Sequence, residues 1–191
     1  RPLDNLVLAP AQRADLIVDV AGPVGFDMMT RQGPYRLADL AVSGTNADRR
    51  VEPIRALSAP DLPTPVDPSQ HLTLTMMGGA MSGRHDGDNI WAFNNVSDLQ
   101  GDPFGSFERG ETVRITMMNN TSFPHGIHLH GHHFYEVDAD DTLGNLRDTT
   151  LVDAGESRDI ICVFDNPGRW LLHCHMLSHA VGGMRTWVNV A

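Results

Sequence analysis

The sequence predicts an all-β protein built as a sandwich or barrel, and three observations carry that reading. Helical periodicity is nearly absent from the 191 residues. Short β-branched or alternating runs recur along the chain. Gly, Pro, Asn and Asp separate them, at the spacing expected of strands joined by turns.

The runs follow in order. DLIVDV (15–20) is rich in β-branched residues, which suit a pleated, half-buried surface. HLTLTMM (71–77) and ETVRITMM (111–118) alternate apolar with polar residues, the period-2 pattern of a strand with one buried face. HHFYEV (132–137), SRDIICVF (157–164), RWLLHCH (169–175) and MRTWVNV (184–190) complete the set. ADDTLGN (139–145) and DNPG (165–168) have turn composition. The stretch 53–68, PIRALSAPDLPTPVDP, holds five of the twelve prolines. Proline fixes φ and removes a backbone donor, so this stretch reads as an extended connection rather than sheet. It divides the chain into residues 1–45, with too few strands to bury a core alone, a linker over 46–68, and a domain-sized body over 69–191.

Composition narrows the function. A formal net charge of −10 repels nucleic acid and anionic membranes, which sets both aside as partners. No apolar run approaches the roughly 18 residues of a membrane span, and no basic-then-apolar signal segment is present. The chain begins RPLDNLVLAP, which reads as the middle of a structure. Of two cysteines, Cys162 lies in the apolar run RDIICVF and reads as a small buried hydrophobe. Cys174 is enclosed by histidines.

Two histidine clusters then stand out: HGIHLHGHHF (125–134) and LLHCHMLSHAVGGM (171–184). Side chains alternate faces along a strand, so parity sorts them. His128 and His130 share a face, with His125 on the other. His173 and His175 share a face, with Cys174 on the other. Side by side, the clusters offer four imidazoles on one side and His125 with Cys174 on the opposite side. His179 and Met184 follow in a Gly-containing loop that can fold back over Cys174. Two imidazoles, a thiolate and a weak axial thioether make a blue-copper electron-transfer site. Zinc takes His and Cys as well, but its structural sites rarely use Met and need no second, opposed set. The peptide through Cys174 joins His173 and His175 to the first set and offers an electron path.

At these residues the chain resembles the C-terminal end of the multicopper oxidases, the laccase-like family. HGIHLHGHHF is similar to the family's HPxHLHGHxF, with Gly126 in place of proline. HCHMLSHAVGGM is similar to HCHxxxHxxxGM, and DNPGRWLLHCH and APAQRADLIVDV resemble further family segments. The resemblance spans essentially the whole chain. It implies cupredoxin-like Greek-key β-barrels: the tail of a second cupredoxin domain and all of a third, copper-binding one. It also implies His125, Cys174, His179 and Met184 as type 1 copper ligands, His128 as a type 2 ligand, and His130, His173 and His175 as ligands of a binuclear type 3 pair. A complete enzyme would hold four coppers, take single electrons from a small reducing substrate, and reduce O2 to water. The implied compartment is periplasmic or extracellular.

Two departures accompany the resemblance. The family's trinuclear cluster needs eight histidines and this chain offers four, so an N-terminal domain is the expected partner that supplies the rest. Many bacterial relatives carry an acid directly after the His179 equivalent, where this chain has Ala180, preceded at 178 by Ser. The rival functions are a blue-copper electron carrier, a copper-binding module without turnover, and a copper nitrite reductase. The carrier leaves four histidines unused, the binding module has no need of an axial Met, and nitrite reductases do not place histidines on both sides of the cysteine. TMMGGAMSGRH, with Met76, Met77, Met81 and His85, reads as core methionines before a Gly78–Gly79 turn, with a soft-metal site such as one for Cu(I) as the alternative. EVDADD (136–141) reads as a solvated hairpin tip rather than a lure for cationic substrate. His132 reads as a residue that orients the site, without a metal of its own.

Overall fold

The computed structural model describes residues 5–18, 20, 22–44, 52–58, 60–79 and 90–191. Two compact units divide the chain: Arg1–Arg13 with Asp61–Ala191, and Ala14–Pro60.

The larger unit carries eleven of the strands, in two sheets. One runs β10 (Thr149–Val152), β7 (His125–Leu129), β12 (Gly168–Cys174), β13 (Arg185–Val190) and β5 (Gly105–Phe107). The other runs β4 (Trp91–Phe93), β3 (Gln70–Gly78), β6 (Glu111–Asn119), β11 (Ser157–Phe164), β8 (Phe134–Val137) and β9 (Leu143–Arg147). Pairing is antiparallel except β3 with β6 and β13 with β5. Alternate residues of both sheets fill one core: Leu74, Met76, Ile115, Met117, Ile160, Cys162 and Phe164 from the six-stranded sheet, and Ile127, Leu129, Leu172, Cys174 and Val188 from the five-stranded one. This is the two-layer arrangement that period-2 patterning dictates. Cys162 is fully buried in it and forms no disulfide among the described residues.

The smaller unit holds one hairpin, β1 (Val24–Thr30) and β2 (Gly33–Leu40), with a bulge between Phe26 and Asp27. Its side chains are nearly all exposed, and Arg36 pairs with Asp27 and Asp39.

Several local expectations are corrected. Residues 15–18 of DLIVDV form no strand; they are exposed and find no ladder partner among the described residues. The strand expected from 132 begins at Phe134, because Gly131 turns at φ +70° and His132 bonds back to the His130 carbonyl. The turn expected over 139–145 is shorter, and β9 already starts at Leu143. The loop after Cys174 contains a five-residue helix, α1 (Leu177–Val181). Met76 is a fully buried core residue, as the methionine reading expects; Met81 and His85 lie outside the described residues. Residues 138–141 are exposed at the β8–β9 tip. Among the described residues no helix is long and apolar enough to cross a membrane.

Candidate metal centre

β7 and β12 lie side by side with His128 opposite His173 and Ile127 opposite Cys174. That register puts each cluster's odd member on the core side and the paired histidines on the outer side. α1 then returns His179 to Cys174.

On the core side, His125 Nδ1 and His179 Nδ1 lie 3.0 Å apart, and they lie 3.6 and 3.7 Å from Cys174 Sγ. A triangle with those sides leaves a point about 2.0 Å from all three atoms, within metal bonding range for N and S donors. Among the described residues this is the one group of three potential His, Cys or carboxylate ligands found close together. His125 and Cys174 are fully buried and His179 is half-buried. Met184 is also fully buried, and its carbonyl accepts the Cys174 N–H at 3.0 Å.

The ring of His125 is fixed by residues the sequence did not point out. Asn119 is a buried hub whose Nδ2 donates to the carbonyls of Phe123, Val152 and Asp153 at 2.7, 3.1 and 2.9 Å. Its Oδ1 must therefore face Thr121, whose hydroxyl donates to it at 2.7 Å. That hydroxyl in turn accepts from His125 Nε2 at 2.8 Å. The proton thus sits on Nε2, and the Nδ1 lone pair faces Cys174. Trp91, nearly buried, closes the other side, with ring centroids 4.2 Å from His179 and 5.1 Å from His125. The Trp91 backbone N–H donates to the Gly182 carbonyl at 2.9 Å, which seats the α1 loop.

Charge states follow from burial. Desolvation, aided by His179, holds the pKa of His125 down at about 3, so its ring is neutral at ordinary pH. Burial also lowers His179. Burial pushes the Cys174 thiol up to about 11, against the opposing pull of the Met176 and Gly126 backbones. Two neutral imidazoles and a thiol that needs a cation to ionise are a soft, borderline donor set. It suits copper, with zinc the competitor.

On the outer side, His128, His130, His173 and His175 gather with ring centroids 4.8–5.7 Å apart. His130 Nε2 and His173 Nε2 are 3.1 Å apart. His128 Nδ1 donates to the Asp148 carbonyl at 2.8 Å, and His173 Nδ1 to the Cys174 carbonyl at 2.9 Å. Each therefore keeps its Nε2 lone pair. Burial and like-charged neighbours hold His130 below the usual histidine range. Burial does the same for His173, against the hydrogen bond to the Cys174 carbonyl.

A segment from the start of the chain braces this set. Gln12 Nε2 donates to the Thr149 carbonyl at 2.6 Å, and Arg13 pairs with the Asp148 carboxylate at 2.8 Å. Burial would raise the Asp148 carboxyl, but Arg13 and Thr149 hold it below the usual range. Gly126 is where this segment meets β7: a Cβ there would stand 3.2 Å from Ala9 Cβ and 3.5 Å from Pro10 Cδ. His132 is buried near the set, its Nδ1 donating to the His130 carbonyl at 3.1 Å.

Comparisons with known proteins bear on this arrangement. A multicopper oxidase family model matches residues 65–191. Multicopper oxidase MmcO of Mycobacterium tuberculosis is 30% identical, over 96% of this chain and 38% of that protein. Copper resistance protein A of Pseudomonas syringae pv. tomato is 30% identical, over 86% of this chain and 26% of its own length. The crystal structure of Lac15 from a marine microbial metagenome is 50% identical, with a TM-score of 0.70 over 90% of this chain and 39% of that one. The chain thus spans well under half the length of these relatives.

Proposed function

Since this chain belongs to the multicopper oxidase family, we propose that it supplies the electron-accepting end of such an oxidase and half the histidines of its O2-reducing cluster. In this reading residues 69–191 are the C-terminal copper-binding cupredoxin domain, 46–68 a linker, and 1–45 the end of a preceding cupredoxin domain. His125, Cys174, His179 and Met184 hold type 1 copper, His128 serves type 2, and His130, His173 and His175 serve the type 3 pair. Bound copper supplies one-electron chemistry at the first set and O2 reduction at the second.

The observation that supports this best is the position of Cys174. Its sulfur lies 3.6–3.7 Å from two imidazole nitrogens on the core side. Its chain neighbours His173 and His175 belong to the other set. Two peptide units therefore connect the sites covalently. The half-buried edge of His179 is the place where an outside donor meets the first set, since His125 is enclosed. Thr121 keeps the His125 lone pair directed, and Trp91 excludes water from both rings. Asp148 and Thr149 hold His128 with its Nε2 free. An N-terminal domain is the proposed source of the remaining histidines, and a periplasmic or extracellular compartment the proposed location.

The test is copper per polypeptide together with the visible spectrum. The copper-loaded chain is expected to show the intense blue absorption of a cysteine-ligated site, and Cys174→Ser to lose it. About one copper per chain would mean that only the first set fills without a partner, and about four that a partner completes the second. A protein that takes up no copper, or stays equally blue after Cys174→Ser, overturns the proposal.

A further inference from the structure

Two side chains of the segment that braces the outer histidines reach further than a brace requires. β10 is an edge strand of its sheet, so one side of its backbone has no ladder. Thr149 lies opposite His128, and the neighbouring ladder bond runs from the Leu129 N–H to the Asp148 carbonyl at 3.1 Å. Thr149 and His128 are therefore a non-hydrogen-bonded pair: their side chains lie close, and the Thr149 carbonyl points off the sheet. Gln12 Nε2 donates to that carbonyl at 2.6 Å, in the place a further strand would take. The Gln12 amide is held by its own turn. Its backbone N–H donates to the Ala9 carbonyl at 3.0 Å, and its Oε1 accepts the Ala9 N–H at 2.8 Å. The turn is kept although Ala11 sits at φ +69°, a conformation L side chains rarely adopt.

Arg13 makes the second contact. Its Nη1 donates to both Asp148 carboxylate oxygens, at 3.0 and 2.8 Å, and to the Ala11 carbonyl at 3.1 Å. The Arg13 side chain is 70% exposed, and an ion pair this open contributes little to stability. Its effect lies further along the network. With the carboxylate fixed, Asp148 Oδ1 accepts the Thr149 hydroxyl proton at 3.1 Å. The hydroxyl lone pair is then left for His128, whose Nδ1–H is shared between that hydroxyl at 3.0 Å and the Asp148 carbonyl at 2.8 Å. Thr149 itself is fully buried, so it has no water to turn to.

We propose that Gln12 and Arg13 are positioning residues for His128: from 137 and 135 positions away in the chain they fix Thr149 and Asp148, and through these the direction of the His128 ring. Their bearing on copper rests on the reading of His128 as a ligand. The effect is specific to one set. The hydrogen bonds that orient His125 run through Thr121 and Asn119 instead, and involve neither Gln12 nor Arg13. Loss of the two contacts therefore disturbs the outer histidines and leaves the core-side trio as it is.

The experiment compares Gln12→Ala and Arg13→Ala, singly and together, and Arg13→Lys with the unchanged chain. In the metal-free protein, three-bond NMR couplings about χ1 report whether each histidine keeps one rotamer. The unchanged chain is expected to hold His128 in a single rotamer. The alanine variants should lose it, with averaged couplings at His128 and unaltered ones at His125. Arg13→Lys should restore it, since Nη1 alone makes both contacts to the carboxylate and an ammonium can stand in its place. Cu(II) is then added to the same proteins. Affinity at the outer set, read by EPR in competition with a chelator, should fall by about 10–100-fold in the alanine variants, while the blue absorption of the first set stays. A single His128 rotamer in the double alanine variant overturns the proposal. So does equal averaging at His125, which is the mark of general loosening. Outer histidines that take up no Cu(II), in a chain whose His128 rotamer still depends on Gln12 and Arg13, would support the positioning and overturn the copper-ligand reading.

Discussion

At the scale of single residues, one hydroxyl determines which nitrogen of His125 is available. Thr121→Val removes the acceptor for His125 Nε2–H, while Asn119 Oδ1 keeps the residue 121 backbone N–H at 3.0 Å. One buried donor is left unpaired, so denaturant unfolding should show a loss of about 1–3 kcal/mol. Copper affinity at the first set should fall by about 10–100-fold, read by competition with a chelator. Cys174 sets the pH dependence of that affinity. Its thiol is held up at about 11 and must lose its proton to ligate, whereas His125 is neutral above about 3 and releases none. Copper uptake therefore releases about one proton, and apparent affinity should rise about tenfold per pH unit between pH 6 and 8. A flat profile in the same titration would refute the assignment. The histidines and Cys174 were legible because their residue types and two-residue spacing carry the message unaided. Asn119, Thr121 and Trp91 were not. They are ordinary residues whose role exists only through contacts across the fold, and no local spacing announces them.

At the scale of elements, the short helix α1 depends on the glycines that end it. Gly183 has φ +107°, and a Cβ there would stand 2.6 Å from the Trp91 carbonyl. Gly183→Ala should destabilise the loop by about 1–3 kcal/mol, displace His179, and weaken copper binding at the first set more than at the second. Spectral titration with copper would register the difference. The pairing of β6 with β11 gives a separate pH test. Burial alone would raise the Asp159 carboxyl, but Thr116 and Arg114, whose Nε donates at 2.8 Å, lower it below the usual range. A depressed carboxylate stabilises the fold above its unfolded pKa of about 3.9, and that stability is lost as pH falls through the lower folded value. Asp159→Asn should thus cost up to about 1 kcal/mol at pH 7, with the difference from wild type starting to shrink below about pH 4 and vanishing once the pH lies below the depressed folded value. The long strands β3, β6 and β11 were readable from alternation. β4 and β5, three residues each, fall below the length at which periodicity can be counted. α1 was missed because five residues hold barely more than one helical turn, without a side-chain cap.

At the scale of the molecule, the metal is part of the fold's stability as well as its chemistry. A ligand that binds only the folded state stabilises it by about 2.7 kcal/mol at a hundredfold excess over its Kd. Removing copper with a chelator should therefore lower the melting temperature, and readdition should restore it; an unchanged Tm would mean the core-side trio is empty in the loaded sample. The two-sheet architecture was legible because its core is filled from both sheets by period-2 strands. The grouping of residues 1–13 with the larger unit was not legible, because it rests on contacts such as Gln12 with Thr149, which lie far apart in sequence. One last consequence concerns β12, whose successive side chains serve opposite sides of the sheet. Such a strand can accept substitutions but not a change of length. Deleting one codon between Trp170 and His173 while the flanking pairing held would rotate the phase of every residue beyond it, aiming sulfur where imidazole belonged. Both centres would be lost at once, although no ligand had been mutated. Insertions and deletions in this part of the gene should therefore be confined to the turn at 165–167, where the chain has no ladder to keep.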